Sequence, residues 1–119
     1  MSANPIVHWE LMGPDADAQK QFYSAIFDWQ FTSPEGFDGY FMTEGEDMAV
    51  NGAVGQGSEE MPTYQCIYVQ CEDINAKLAE VQANGGSTAM PRTEIPDVVT
   101  FAMFKDPAGN LVGLVEGGD

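Results

Sequence analysis

An α+β domain built from two similar β-α-β-β-β modules, packed side by side around a shared sheet-lined trough, is what this 119-residue sequence predicts. Three observations carry the prediction. Short runs alternate apolar and polar residues and are bounded by Gly and Pro, as half-buried strands are. Two stretches have helical spacing, and an aspartate opens each. A shift of 58 positions lays Asp15 on Asp73 and Ala18 on Ala76 and sets His8 opposite Cys66, which reads as an internal duplication.

The elements follow in chain order. Ile6 to Met12 is the first strand, with Val7, Trp9 and Leu11 on an apolar face and His8, Glu10 and Met12 on the other. Asp15 caps a helix running to about Phe27, whose Phe22, Tyr23, Ile26 and Phe27 form one apolar stripe. Trp29 to Thr32, Gly39 to Thr43 and Met48 to Val54 are the next three strands. The stretch from Gly55 to Pro62 is polar and Gly-rich and reads as a linker.

The second module repeats the order. Tyr64 to Cys71 is a strand with Ile67, Val69 and Cys71 as its apolar set and Tyr64, Cys66, Tyr68 and Gln70 as a more polar one. Asp73 caps a helix carrying Ile74, Leu78 and Val81, and Asn84-Gly85-Gly86 ends it. Ser87 to Met90, Val99 to Phe104 and Leu111 to Glu116 complete the set. Asp106-Pro107-Ala108-Gly109 joins the last two as a hairpin turn, Pro suiting the second position and Gly accepting positive φ. The chain is thus one domain over 1–119, with module one at about 5–55, a linker at about 56–63 and module two at about 64–117.

Composition limits the partners. Nineteen acidic residues against four basic ones give a formal charge of −15, which repels nucleic acid and anionic lipid. No stretch has the length and apolarity to cross a bilayer, and the first residues lack the basic start and apolar run of a signal peptide. The sequence therefore reads as cytoplasmic. Cys66 and Cys71 lie on opposite faces of one strand, some ~16 Å apart, too far to bridge, so both are expected as reduced thiols.

This order of elements, with Phe22-Tyr23 late in the first helix and Asp106-Pro107-Ala108-Gly109-Asn110 before the last strand, resembles the vicinal oxygen chelate superfamily of glyoxalase I, bleomycin resistance proteins and extradiol dioxygenases. The resemblance spans Val7 to Glu116. Within it, the stretch from Val7 to Asp15 and that from Pro91 to Pro96 look like small bacterial glyoxalase-like proteins. The resemblance implies a divalent metal held by four side chains, one from the first and one from the last strand of each module. Only His8 retains a usual ligand type. The matching positions carry Cys66, Gly113 and either Asn51 or Gly52, so no metal and no other cofactor is expected; hard divalent metals want oxygen and imidazole donors around one point.

The candidate site residues are accordingly His8 and Glu10 for acid–base work, with Met12, Tyr64, Cys66, Tyr68 and Gln70 lining the ligand face. Glu10 cannot be the immediate orienter of His8, because i and i+2 side chains on a strand stand about 6 to 7 Å apart. Arg92, the sole arginine, reads as an exposed loop residue, and Trp9 and Trp29 as core. The expected function is binding of a small, partly apolar molecule without the family's metal. The alternatives are a lyase, isomerase or dioxygenase-type enzyme, metal-dependent through an unusual site or metal-free with His8 or Glu10 as base, and an interaction domain whose trough a partner chain closes. Sequence leaves open whether the chain is an enzyme; a homodimer is expected because proteins resembling it commonly pair.

Overall fold

A computed structural model describes residues 3–117. Among them are eight strands and two helices: β1 (Ile6–Gly13), α1 (Ala16–Phe27), β2 (Phe31–Thr32), β3 (Tyr40–Thr43), β4 (Ala53–Gln56), β5 (Tyr64–Cys71), α2 (Ile74–Ala83), β6 (Ser87–Ile95), β7 (Val99–Lys105) and β8 (Leu111–Glu116). The chain divides into two compact modules. Module one comprises residues 8–65, and module two comprises 66–117 together with residues 3–7.

In module one the strand order is β2-β3-β4-β1, with β4 parallel to β1 and antiparallel to β3. Asp15 accepts the amide of Ala18 as the N-cap of α1, and Asp28 ends the helix in the left-handed conformation at φ 60°. The helix rests on β3 and β4. Trp9 and Trp29 pack with ring centroids 5.1 Å apart, and Tyr23 stacks on Trp29 at 5.5 Å. The expected apolar stripe is only partly inward: Tyr23 is half-buried, whereas Phe22, Ile26 and Phe27 stay about half exposed. Strand β2 is shorter than the sequence suggests because Trp29 is drawn into this aromatic cluster, leaving Phe31 and Thr32 to pair with β3.

The fourth strand also moves. It runs over Ala53–Gln56, so Gly55 and Gln56, expected in the linker, belong to the sheet. The cause lies in residues 45–52. Asn51 Oδ1 accepts from Thr43 Oγ1 and from the Gly45 amide, and its Nδ2 donates to the Gly45 carbonyl, closing a loop where a straight strand was expected. Gln56 then joins the onset of α1, donating from Nε2 to Pro14 O and accepting from Ala16 N.

Module two has the order β5-β8-β7-β6, with β5 parallel to β8 and the rest antiparallel. Its core joins Cys71, Ile74, Leu78, Ala102 and Leu114, with Val69 and Phe104 packed against them. Ile67, of the same parity, is 40% exposed. Strand β6 extends to Ile95 rather than Met90: Pro91 sits at a register irregularity between Met90 and Thr93, where a missing amide is tolerated. Arg92 is therefore on a strand, not in a loop. Its guanidinium forks onto Glu116 at 2.8 and 3.1 Å, while Glu116 Oε2 also accepts the Ile74 amide at the start of α2. The β7–β8 turn is the expected one, with Gly109 at φ 97° and Asp106 accepting from Ala108 and Asn110. Both cysteines are buried thiols, neither in a disulfide, as β5 geometry requires.

Candidate functional site

Registry in module one decides which side chains share a face. Residues paired across strands point the same way, so Glu10, Ala53 and Met42 form one row and Met12, Gly55 and Tyr40 the next. His8 continues the Glu10 and Met12 side of β1 by alternation. The opposite side carries Trp9, Leu11, Val54 and Phe41, toward α1. Strand β4 thus contributes almost no bulk to the first face: Ala53 is fully buried, and a Cβ on Gly55 would stand 3.3 Å from Tyr40 Cα and 3.2 Å from Met12 Cε.

That low row lets Tyr40 reach across β4 to β1. Its hydroxyl donates to Glu10 Oε2 at 2.6 Å and lies 2.8 Å from His8 Nε2. The phenol has one proton, which goes to the carboxylate, so Nε2–H of His8 donates to the phenol oxygen. Direct approach of His8 to Glu10 is longer, 3.9 Å. That approach is closer than the ~6 to 7 Å expected from strand pitch, and the Tyr40 phenol bridges the two residues. Glu10 and Met12 are buried and His8 and Tyr40 half-buried. Burial pushes the His8 imidazole below its ordinary value, opposed by the Glu10 carboxylate. Burial thus favours the neutral imidazole, whose Nε2–H donates to the phenol oxygen.

Tyr40 was not among the sequence candidates. The available signal was the pairing of a tyrosine on one strand with small residues at alternate positions of the next, and it became legible only once β4 started at Ala53. Conversely, the register removes both candidates for the family's ligand on this strand. Asn51 is committed to the 45–51 loop. Gly52 lies under Trp9, where a Cβ would meet the indole ring at 2.1 Å, on the helix side of the sheet. The residue beside Glu10 is Ala53, which has no donor atom.

Along β5, Cys66 and Tyr68 are buried on one side, and Tyr64 and Gln70 are half-buried. The Tyr68 hydroxyl reaches Met103 Sδ at 4.0 Å, and the Gln70 backbone is tied to residues 4 and 5 through Asn4 Nδ2 and the Pro5 carbonyl. Gly113 lies beside Tyr68 across the β5–β8 ladder. Among the described residues no three His, Cys, Asp or Glu side chains converge as a metal centre needs. The positions the family uses offer one imidazole, a thiol, a methyl and a hydrogen, a donor set that does not fit a hard divalent ion.

The comparisons with known proteins agree with this architecture. Residues 5–114 match the model of the Glyoxalase/Bleomycin resistance protein/Dioxygenase superfamily. The protein CFP32 of Mycobacterium bovis and of Mycobacterium tuberculosis, provisionally named a glyoxylase, is 32% identical over 111 residues, which is 88% of this chain and 42% of that one. The anthracycline biosynthesis protein DnrV of Streptomyces peucetius is 28% identical over 117 residues, 85% of this chain and 42% of that protein. The chain thus spans less than half the length of these curated relatives. Among solved structures, methylmalonyl-CoA epimerase from Mycobacterium tuberculosis superposes with a TM-score of 0.72 at 13% identity, covering 100% of this chain and 93% of that one; at this identity the likeness is one of fold. With the family model matched from the first strand to the last, the chain belongs to the glyoxalase/bleomycin resistance protein/dioxygenase superfamily.

Proposed function

We propose that this chain binds a small, partly apolar molecule through the Glu10, Tyr40 and His8 face of module one, with no metal in the family's position. The observation that supports this is the hydrogen-bonded series Glu10–Tyr40–His8, set over Ala53 and Gly55 and beside the apolar Met12 and Met42. Small-molecule sites in general combine apolar lining with a few placed polar groups. A carbonyl or hydroxyl on the ligand is the natural complement to this set. The test is a thermal-shift screen of uncharged and charged small molecules on the parent, Tyr40→Phe and His8→Ala. Hits should shift the parent and lose most of that shift in Tyr40→Phe. A screen whose hits shift parent and both variants alike overturns the assignment. The same titrations on Tyr64→Phe, Cys66→Ser, Tyr68→Ala and Gln70→Ala read whether those residues take part.

The same series favours a second reading, a metal-free acid–base enzyme. Three groups in line allow neutral His8 to take a ligand proton on its other ring nitrogen while Nε2–H passes its proton to the phenol oxygen and the phenol proton passes to Glu10, so that the proton removed from the ligand is held as the carboxylic acid. This exchange needs no protein group other than the three residues. Proton NMR of screen hits in D2O checks it: deuterium should enter the ligand with the parent and not with Glu10→Gln. Binding without exchange leaves the first reading alone.

A further inference from the structure

Tyr68, Gly113 and Met103 occupy one row across β5, β8 and β7. The tyrosine ring lies flat over the glycine. A Cβ built on Gly113 would stand 2.2 Å from Cδ2, 2.3 Å from Cε2 and 2.8 Å from Cγ of that ring, all closer than real Cβ contacts come. Tyr68 is 8% exposed, and its hydroxyl end sits at the Met103 sulfur. The obstruction begins at the first side-chain atom, so no rotamer of any larger residue at 113 relieves it. Position 113 is the one at which the family resemblance implies a metal ligand in module two.

We propose that Tyr68 and Gly113 form a steric lock that closes the module-two ligand position to every side chain and commits the chain to working without the family's metal. The ring fills the space that a ligand side chain would need, and the glycine is what lets the ring lie there. The two residues are therefore one device: Gly113 cannot gain a side chain while the Tyr68 ring stays in place. The family's ligand position on β4 has met the same end by other means, since Ala53 faces Glu10 and Gly52 is packed under Trp9. Of the four positions only His8 and Cys66 keep a ligand atom, and His8 is engaged with Tyr40.

A double-mutant cycle tests the lock. Gly113→Ala should lower the melting temperature by roughly 5 to 15 °C, as overpacking of a filled site does. In the Tyr68→Ala background the same change should move it by no more than about 3 °C. Equal losses in both backgrounds, or a Gly113→Ala protein that melts like the parent, overturn the proposal. Should Gly113→Ala not fold, recovery of folding in Tyr68→Ala/Gly113→Ala is the supporting result and its absence the contrary one. The commitment to metal-free work has its own readout: equilibrium dialysis of the parent against Mn2+, Ni2+ and Zn2+, followed by elemental analysis. One bound equivalent that disappears in His8→Ala overturns it. The double-mutant cycle does not involve the organic ligand, so its failure leaves the Glu10–Tyr40–His8 reading standing, whereas a metal lost in His8→Ala also removes that reading's metal-free clause.

Discussion

Tyr40 donates to Glu10 at 2.6 Å across a strand whose intervening residues are alanine and glycine. The bond joins β3 to β1 without touching β4, and it brings the phenol within 2.8 Å of His8. Tyr40→Phe keeps the ring and removes both hydrogen bonds, leaving a buried carboxylate short of a donor. The loss should be about 1 to 3 kcal/mol of stability and about tenfold in ligand affinity. Urea unfolding and calorimetric titration of the screen hits measure the two; an unchanged midpoint and affinity count against the bridge.

His8 should titrate below the ordinary histidine value of 6.5, because burial disfavours its charged form. Glu10 opposes that effect, so Glu10→Gln should lower the titration further. The sign for stability follows. A depressed pKa means that the unfolded chain binds the proton first, so this contribution is complete above about 6.5 and declines as pH falls through and below that value. The chain has one histidine, so its ring protons in an NMR titration give an unambiguous curve. A midpoint above 6.5 contradicts the packing described here.

Glu116 carries a second pH dependence. The Arg92 guanidinium, joined by the Ile74 amide, holds its carboxyl at about 2, below an ordinary 4.5. Stability from this cluster is present above 4.5 and is lost as pH falls toward 2. Glu116→Gln should flatten the acid limb of the melting-temperature profile, and Arg92→Lys should flatten it in part, since a lysine cannot fork onto the carboxylate. Identical acid limbs in the parent and Glu116→Gln refute the role.

Gly52→Ala is expected to be among the most damaging small changes in module one. Its Cβ would stand 2.1 Å from the Trp9 ring and 2.5 Å from the Trp9 carbonyl, and the backbone atom cannot swing aside. A loss of about 3 kcal/mol, at the upper end of ordinary overpacking, is the expected result in denaturant unfolding. Near-UV circular dichroism, sensitive to Trp9 and Trp29, should change with it.

Self-association should strengthen with salt. Two chains of charge −15 repel, and added salt shortens the reach of that repulsion to about 8 Å at physiological ionic strength. The exposed Phe22 and Ile26 on α1 offer apolar area that charge does not oppose directly. Sedimentation velocity across a salt series reads the trend, and association that weakens with added salt is the contrary outcome.

The element order, both aspartate caps, the Asp106 to Gly109 turn and the His8, Glu10 and Met12 face of β1 were legible in the sequence, because each rests on spacing within a few residues of one segment. Alternation alone places His8 with Glu10, whereas the ~6 to 7 Å that strand pitch suggests between them is closed to 3.9 Å in the fold. What spans segments was not legible. Whether Asn51, Gly52 or Ala53 stands beside Glu10 depends on a loop that Asn51 closes and on the room Trp9 takes, both set by packing between strands distant in sequence. Tyr40 became a site residue only because β4 brings Ala53 and Gly55 between it and β1. The strand read as ending at Met90 runs on past Pro91 to Ile95, and the register irregularity that accommodates the proline, with Arg92 tied to Glu116, exists only in the folded sheet. Local propensity and period are written along the chain; register and the side chains that cross it are decided by which strands meet.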